Sequence, residues 1–164
     1  MVILNQRQIT QKIKRLAIEI LEHNFDEAEL ILAGINNNGL HFAQLIHNQL
    51  IELGFSALTL TQIKLNPANP LDTEIEIGLS TDALKGKVVI VVDDVANTGR
   101  TLFYAAKPLM NVVCKKVEFA VLVDRKHKAF PIVPTYVGFA LATTFNENID
   151  VQIRDVAEQT VFLR

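Results

Sequence analysis

VVIVVDDVANTGRT, residues Val88–Thr101, is the stretch around which the rest of the chain is arranged. Its first five residues are aliphatic and rich in β-branched side chains, the composition of a strand buried on both faces of a parallel sheet. Asp93 and Asp94 follow where that strand is expected to emerge, and Thr98-Gly99-Arg100-Thr101 then provides hydroxyls, a permissive glycine and exposed amides ahead of a helical pattern from about Leu102. Free N–H groups at a helix start attract anions, because the amides point outward and the helix dipole favours negative charge. Two carboxylates beside such a turn suit sugar hydroxyls or a divalent metal. Alone, either half reads as an ordinary strand-to-helix connection; together, at the carboxyl edge of a buried strand, they describe a pocket for a phosphorylated sugar.

The flanking sequence repeats the strand-loop-helix pattern. Ile9, Ile13, Leu16, Ala17, Ile20 and Leu21 form one apolar stripe and predict a helix over Asn5–Asn24. Glu29–Ala33 is a short buried strand, followed by Gly34-Ile35-Asn36-Asn37-Asn38-Gly39, whose glycines and asparagines allow the positive φ angles of a ligand-cradling loop. An ordinary βα turn is the alternative. Leu40, Ala43, Ile46, Leu50 and Leu53 continue as a helix that Gly54 closes. Ala57–Ile63 is a further strand. From Lys64 to Gly86 the periodicity dissolves around Asn66-Pro67 and Asn69-Pro70, with a brief strand at Glu74–Leu79; this is a lid or a surface excursion.

Beyond the central stretch, Pro108 is expected to end or kink the helix. Val117–Val123 is the next buried strand and runs into Asp124-Arg125-Lys126-His127-Lys128, at the same sheet edge as the acidic pair. Tyr136–Ala140, Ile149–Ile153 and Thr160–Leu163 are short strands, the last two alternating as half-buried peripheral strands do. The alternation predicts one α/β domain over residues 1–164, with a mostly parallel sheet between helices.

Composition narrows the classes of function. The chain is 49% hydrophobic, yet no apolar run approaches the ~20 residues of a membrane-spanning helix. The N-terminus turns polar too soon for a secretory signal, so the expectation is a cytoplasmic protein with no membrane partner. Sixteen basic against 18 acidic residues leave no global field for nucleic acid. Cys114 is the only cysteine, which removes an intramolecular disulfide and any multi-cysteine metal cluster; it reads as an inert, partly buried thiol. His23, His41, His47 and His127 show no metal-binding spacing.

The central stretch resembles the phosphoribosyl pyrophosphate (PRPP) signature of type I phosphoribosyltransferases: a hydrophobic strand, an acidic pair and a small-residue Thr-Gly turn. Phe119–Gly138, FAVLVDRKHKAFPIVPTYVG, is similar to a segment of the pyrimidine operon attenuators that are also uracil phosphoribosyltransferases, with its Asp-Arg-x-His turn and Tyr-x-Gly step. The order and spacing of the other segments extend the likeness over nearly the whole chain.

The resemblance implies a type I phosphoribosyltransferase fold with a small hood, transfer of 5-phosphoribosyl from PRPP to a nucleobase such as uracil, Mg²⁺ as cofactor, and at least a homodimer. It implies that Asp93 and Asp94 bind the ribose hydroxyls directly or through Mg²⁺, and that Ala96, Asn97, Thr98, Gly99, Arg100 and Thr101 hold the 5′-phosphate. It further implies a pyrophosphate loop at Gly34, Ile35, Asn36, Asn37, Asn38 and Gly39, and a flap over Lys64–Leu79. Asp124 and His127 fall beside the base in the hood, and Arg125 is carried over with the acidic pair as catalytic.

Three departures stand out. Asn36–Asn38 replace the usual Lys or Arg of the pyrophosphate loop, and neutral donors bind phosphate more weakly than charged ones. The flap begins Ile63-Lys64-Leu65-Asn66-Pro67 in place of a Tyr-Arg-Asp-Asp-like run, which leaves Lys64 as its cation. Val133 and Phe139 stand where RNA-binding members are basic, which disfavours RNA, although Lys14, Arg15, Lys126 and Lys128 still offer a local patch. A weakly catalytic PRPP or nucleotide sensor, or an RNA-binding regulator, is therefore the alternative to an efficient enzyme.

Overall fold

A computed structural model describes residues 1–164. The chain runs β1 (Val2–Leu4), α1 (Gln6–Asn24), β2 (Leu30–Ile35), α2 (Asn36–Glu52), β3 (Leu58–Lys64), β4 (Glu76–Ile77), α3 (Thr81–Leu84), β5 (Val88–Ala96) and α4 (Arg100–Ala105). A 3₁₀ turn at Lys107–Asn111, β6 (Lys116–Arg125), β7 (Tyr136–Leu141), β8 (Ile149–Gln152) and β9 (Thr160–Leu163) complete it. The main sheet has the order β4-β3-β2-β5-β6-β7 and is parallel except for β4 against β3. β5 therefore lies in the interior of the sheet, which is why its aliphatic run alternates between two cores. Val88, Ile90 and Val92 pack with α1 and α2, whereas Val89 and Val91 pack with Leu84, Leu102 and Ala105 on the other face.

A second, antiparallel sheet of order β1-β9-β8 brings the two chain ends together and forms the hood. β1 carried no sequence signal beyond its brief apolar start. Its pairing with β9, 160 residues away at Val2 and Phe162, is a tertiary contact that no local pattern encodes.

Helix α1 begins where the sequence suggests. Asn5 accepts from the Gln8 amide at 3.0 Å and Gln8 accepts from the Asn5 amide at 2.9 Å, a capping box that satisfies two donors at the helix start. Gly54, at φ +90°, closes α2 as expected. Pro108 falls in the first turn of the 3₁₀ segment that replaces α4 after Ala105, consistent with its missing amide.

Several boundaries differ from expectation: β2 runs to Ile35 in place of Ala33, and β4 is confined to Glu76–Ile77. β5 does not stop at Val92 but continues through both aspartates to Ala96, paired with β6 from Val88↔Lys116 to Ala96↔Asp124. β6 likewise extends through Asp124 and Arg125. Ladder hydrogen bonds are indifferent to side-chain polarity, so polar residues extend a central strand beyond its apolar run and arrive at the sheet edge on rigid backbone.

Candidate active site

Four segments meet at the carboxyl edge of β2 and β5. Ile35–Asn38, Asp93–Val95 with Asn97 and Thr101, Pro67, and Ile149–Val151 of the hood line one cleft of about 510 Å³. A small dent of about 50 Å³ opens beside it, formed by Val95–Leu102 alone.

Asp93 and Asp94 stand side by side near the end of β5. Asp93 is 9% exposed, and its Oδ1 accepts the Asp94 amide at 2.9 Å. Burial, and then the neighbouring Asp94 charge, push its carboxyl well above the usual carboxylate range. Asp94 is half-buried; its Oδ1 accepts the Val95 amide at 2.9 Å and its Oδ2 accepts from Asn38 Nδ2 at 3.2 Å. No third His, Cys, Asp or Glu completes a protein-only metal cage. Two carboxylates with room for outside oxygens is nevertheless the donor set Mg²⁺ favours, since it keeps waters and substrate phosphates among its ligands.

The turn after β5 has the expected shape. Gly99 adopts φ +83°, a left-handed conformation that L side chains rarely adopt, and leads into α4. The Arg100 amide donates to Thr98 Oγ1 at 3.3 Å. Thr98 O accepts the amides of Ala129 at 2.9 Å and Phe130 at 3.1 Å, so the chain after β6 braces the turn from behind.

The Asp124–Lys128 cluster forms most of that brace. Lys128 Nζ donates to Asn97 O at 3.1 Å and Arg125 O at 2.6 Å and pairs with the Asp124 carboxylate. Arg125, 9% exposed, directs Nε to Thr143 Oγ1 at 2.7 Å, Nη2 to Thr144 O at 3.1 Å and Nη1 to Asn97 Oδ1 at 3.4 Å. His127 Nε2 lies 2.6 Å from Thr143 O, and its ring stacks on the exposed Phe145 at 5.4 Å. Expected as contacts to a ligand, Asp124, Arg125, His127 and Lys128 are engaged with their own chain. Nothing in the linear order joins Arg125 to Thr143, so this engagement was invisible in sequence.

The Gly34–Gly39 segment requires a correction. It is not a free loop: Gly34 lies in β2, and Asn36, Asn37, Asn38 and Gly39 form the first turn of α2. The positive φ belongs to Asn36, at +50°, and to neither glycine. The glycines are needed for close approach. A Cβ on Gly34 would sit 2.3 Å from Leu40 Cα, and one on Gly39 would sit 2.6 Å from Val92 O. Gly34 lets β2 pack against the first turns of α2 and Gly39 lets α2 start against the end of β5; Ile35 gives that start no side-chain cap, so the first amides of a 17-residue helix remain available to an anion.

Lys64 is exposed and lines a neighbouring polar cavity of about 530 Å³ with Glu74, Glu76, Asn36 and Asn37, not the aspartate cleft. Pro67, within the expected flap, does line the cleft; the sequence reading missed Ile149, Asp150 and Val151 as cleft walls, and Arg154, whose Nε donates to Asn38 Oδ1 at 3.2 Å. The alternation over Ile149–Ile153 marked a strand but not its placement across the cleft. No helix is long and apolar enough to cross a membrane.

Residues 2–155 match the phosphoribosyl transferase domain family. The chain is 35% identical over 163 residues to the Bifunctional protein PyrR of Brevibacillus brevis, covering 94% of this chain and 90% of that one. It is 33% identical to the protein of that name from Listeria welshimeri, with 99% and 95% covered. Among solved structures, the hypoxanthine phosphoribosyltransferase of Trypanosoma cruzi superposes with a TM-score of 0.78 at 17% identity, over 98% of this chain and 95% of that one. A hypoxanthine-guanine phosphoribosyltransferase of Bacillus anthracis gives 0.70 at 24% identity, over 85% and 81%. The fold, the matched span and these relatives agree: the chain belongs to the phosphoribosyltransferase family and has the type I fold.

Proposed function

We propose that the protein transfers the 5-phosphoribosyl group of PRPP to a ring nitrogen of a nucleobase, a pyrimidine such as uracil, with release of pyrophosphate. The observation that carries this reading is the single cleft in which the Asp93–Asp94 pair lies between the braced turn Ala96–Thr101 and the uncapped start of α2. A sugar bearing a phosphate at one end and a pyrophosphate at the other needs those three features in that order.

On this reading the turn Ala96–Thr101 takes the 5′-phosphate on its amides and on the hydroxyls of Thr98 and Thr101. Asp93 and Asp94 orient the ribose hydroxyls and hold Mg²⁺, which when bound supplies positive charge to the hydroxyls and the departing pyrophosphate. The amides of Asn37, Asn38 and Gly39 face the pyrophosphate, with the Arg154 guanidinium hydrogen-bonded to Asn38 beside them. The base enters against Ile149–Val151 of the hood. Its nitrogen lone pair forms the new bond to the anomeric carbon as the carbon–oxygen bond breaks, pyrophosphate leaves with that electron pair, and the ring N–H proton passes to the departing pyrophosphate or to water. Arg125 and Lys128 hold Asn97 in place, so the phosphate turn is fixed before the substrate arrives and the reacting carbon is aligned without further ordering. Asp124 pairs with Lys128, and His127 fixes the strand end at Thr143; Lys64 lies outside the first contacts.

The decisive experiment is incubation with PRPP, Mg²⁺ and a panel of bases, read as nucleotide and pyrophosphate formed. A uridine nucleotide is the expected product. Product from a purine alone overturns the pyrimidine assignment, product from a different pyrimidine overturns only uracil, and no product together with no PRPP binding overturns the whole reading. A second reading, a PRPP or nucleotide sensor with little turnover, draws on the neutral Asn36–Asn38; tight PRPP binding without product establishes it. Steeply salt-dependent RNA affinity instead points to an RNA-binding regulator of the kind the resemblance allows. A homodimer or larger oligomer is the assembly proposed, checked by light scattering.

A further inference from the structure

Between the aspartate cleft and the polar cavity beside it runs one short piece of chain, Leu65–Ala68. Leu65 and Asn66 line the polar cavity, and Pro67 lines the aspartate cleft. Both ends of this piece are tied down. At one end the Asn36 side chain behaves as a peptide group: its Nδ2 donates to Leu65 O at 2.9 Å and its Oδ1 accepts the Leu65 amide at 3.1 Å. At the other, Arg100 Nη2 donates to Pro67 O at 2.8 Å and Ala68 O at 2.5 Å. In between, Asn66 Oδ1 accepts the Ala68 amide at 3.0 Å and Pro67 restricts the backbone, with Pro70 just beyond. Leu65 and Ile75 are buried in the core on the α4 face, and Pro70 is buried as well; Leu71, Asp72, Thr73 and Glu74 are exposed.

The identity of residue 36 matters here. Pairing with both the N–H and the C=O of Leu65 needs a donor and an acceptor on one side chain, which an amide has and a Lys or Arg does not. Asn36 also holds φ +50°, a conformation asparagine tolerates better than most residues. The replacement of a basic residue is therefore matched by a specific structural task. Arg100, expected at the phosphate, turns its guanidinium away from the turn that its own amide helps to form.

We propose that Asn36 and Arg100 are positioning residues that buckle Leu65–Ala68 as a strap between the pyrophosphate-side and phosphate-side elements, setting the Pro67 wall of the cleft. Residues 71–74 are then the part of the flap left to close over a ligand, and little chain has to be ordered on closure. The proposal rests on the PRPP reading for its ligand but not for its geometry.

Asn36→Gly keeps the backbone conformation and removes the side chain; Arg100→Gln removes the long fork, and Arg100→Lys restores a donor. Hydrogen exchange of the unliganded protein at the Leu65 and Ala68 amides reads the strap directly, and is expected to accelerate at least tenfold in Asn36→Gly and Arg100→Gln. Affinity for Mg²⁺–PRPP is expected to fall about tenfold in each, the scale of one lost hydrogen bond, with partial recovery in Arg100→Lys. The double variant is expected to lose less than the product of the two single losses, because a strap freed at one end is already loose. Unchanged exchange in both single variants, or a double loss equal to the product, overturns the strap. Failure of the wild type to bind PRPP overturns the ligand assignment alone, because exchange still reports on the buckles.

Discussion

Replacing Asp93 by Asn separates what the acidic pair does for folding from what it does for ligand. Asp93 is buried beside a like charge, and its pKa stands well above the ordinary 3.8 because of burial first and Asp94 second. A carboxyl whose folded pKa exceeds its unfolded value takes up a proton on folding. Its burial is therefore free of charge penalty below 3.8, and the penalty grows as pH rises through the raised folded value. An asparagine side chain is neutral throughout that window, and its Nδ2 offers Asp94 the hydrogen bond that Asp93 can offer only when protonated. A hydrogen bond to a charged group contributes about 1.5–3 kcal/mol, and in a chain of this size each kcal/mol moves Tm by roughly 2–4 °C. The Asp93→Asn variant is thus expected to unfold roughly 3–12 °C above the wild type at pH 8 without ligand, with the difference closing toward pH 4. Calorimetric scans across that range measure it. The same variant is expected to lose most of the Tm rise that Mg²⁺–PRPP gives the wild type, since the ribose and metal contacts need the charge. A Tm difference that is negative at pH 8 or constant across the range refutes the electrostatic argument, and an undiminished ligand shift refutes the assignment of Asp93 to the binding site.

Other perturbations probe different links. Asp94→Asn with Thr98→Ala is expected to weaken Mg²⁺–PRPP binding at least tenfold by calorimetric titration, while the urea midpoint barely moves, because strand-end and turn residues add little to the core. Gly39→Ala places a Cβ 2.6 Å from Val92 O, on strand backbone that cannot give way. A cost of about 1–3 kcal/mol in urea unfolding is expected, with weaker PRPP binding as α2 is pushed from β5. Tyr136→Phe removes the hydroxyl that donates to Glu118 Oε1 at 2.9 Å in a buried cluster with Asn24. It is expected to cost about 1–3 kcal/mol and to leave PRPP affinity unchanged, because the cluster lies at the amino end of β6 and β7, away from the site.

The elements most legible in the sequence were those whose signal is local. The α1 stripe, the Val88–Val92 run and Gly54 each declare themselves within a few residues, and they fell where expected. The acidic pair and Gly99 were legible because their chemistry is compact: charge, hydroxyl and permissive backbone all stand between Asp93 and Thr101. What escaped depends on distance. Pro67 lines the cleft, and its carbonyl is held by Arg100, 33 residues away. β8 becomes the far wall because β9 pairs with both β8 and β1, carrying the C-terminal strands to the N-terminus. Strand ends were read too short for a related reason, since hydrophobicity reports burial whereas a ladder continues as long as its neighbours do.

The glycines around Asn36–Asn38 carry the most instructive revision. Read as the positive-φ positions of a ligand-cradling loop, they left the missing cation as a plain loss of phosphate affinity. In the fold they are contact points: Gly34 lets β2 lie against the backbone of α2 at Leu40, and Gly39 lets the helix start dock against Val92 of β5, which brings its free amides to the aspartates. Arg154 then reaches Asn38 from the end of the hood. On the proposed reading, the pyrophosphate meets a helix dipole and an arginine delivered by tertiary structure, in place of a lysine delivered by sequence. Arg154→Gln tests this argument: Mg²⁺–PRPP affinity should fall, whereas ribose 5-phosphate, which lacks the pyrophosphate, should bind as it does to the wild type. Equal losses for both ligands would mean that Arg154 serves the cleft as a whole, and the neutral loop would then have no local compensation for its charge.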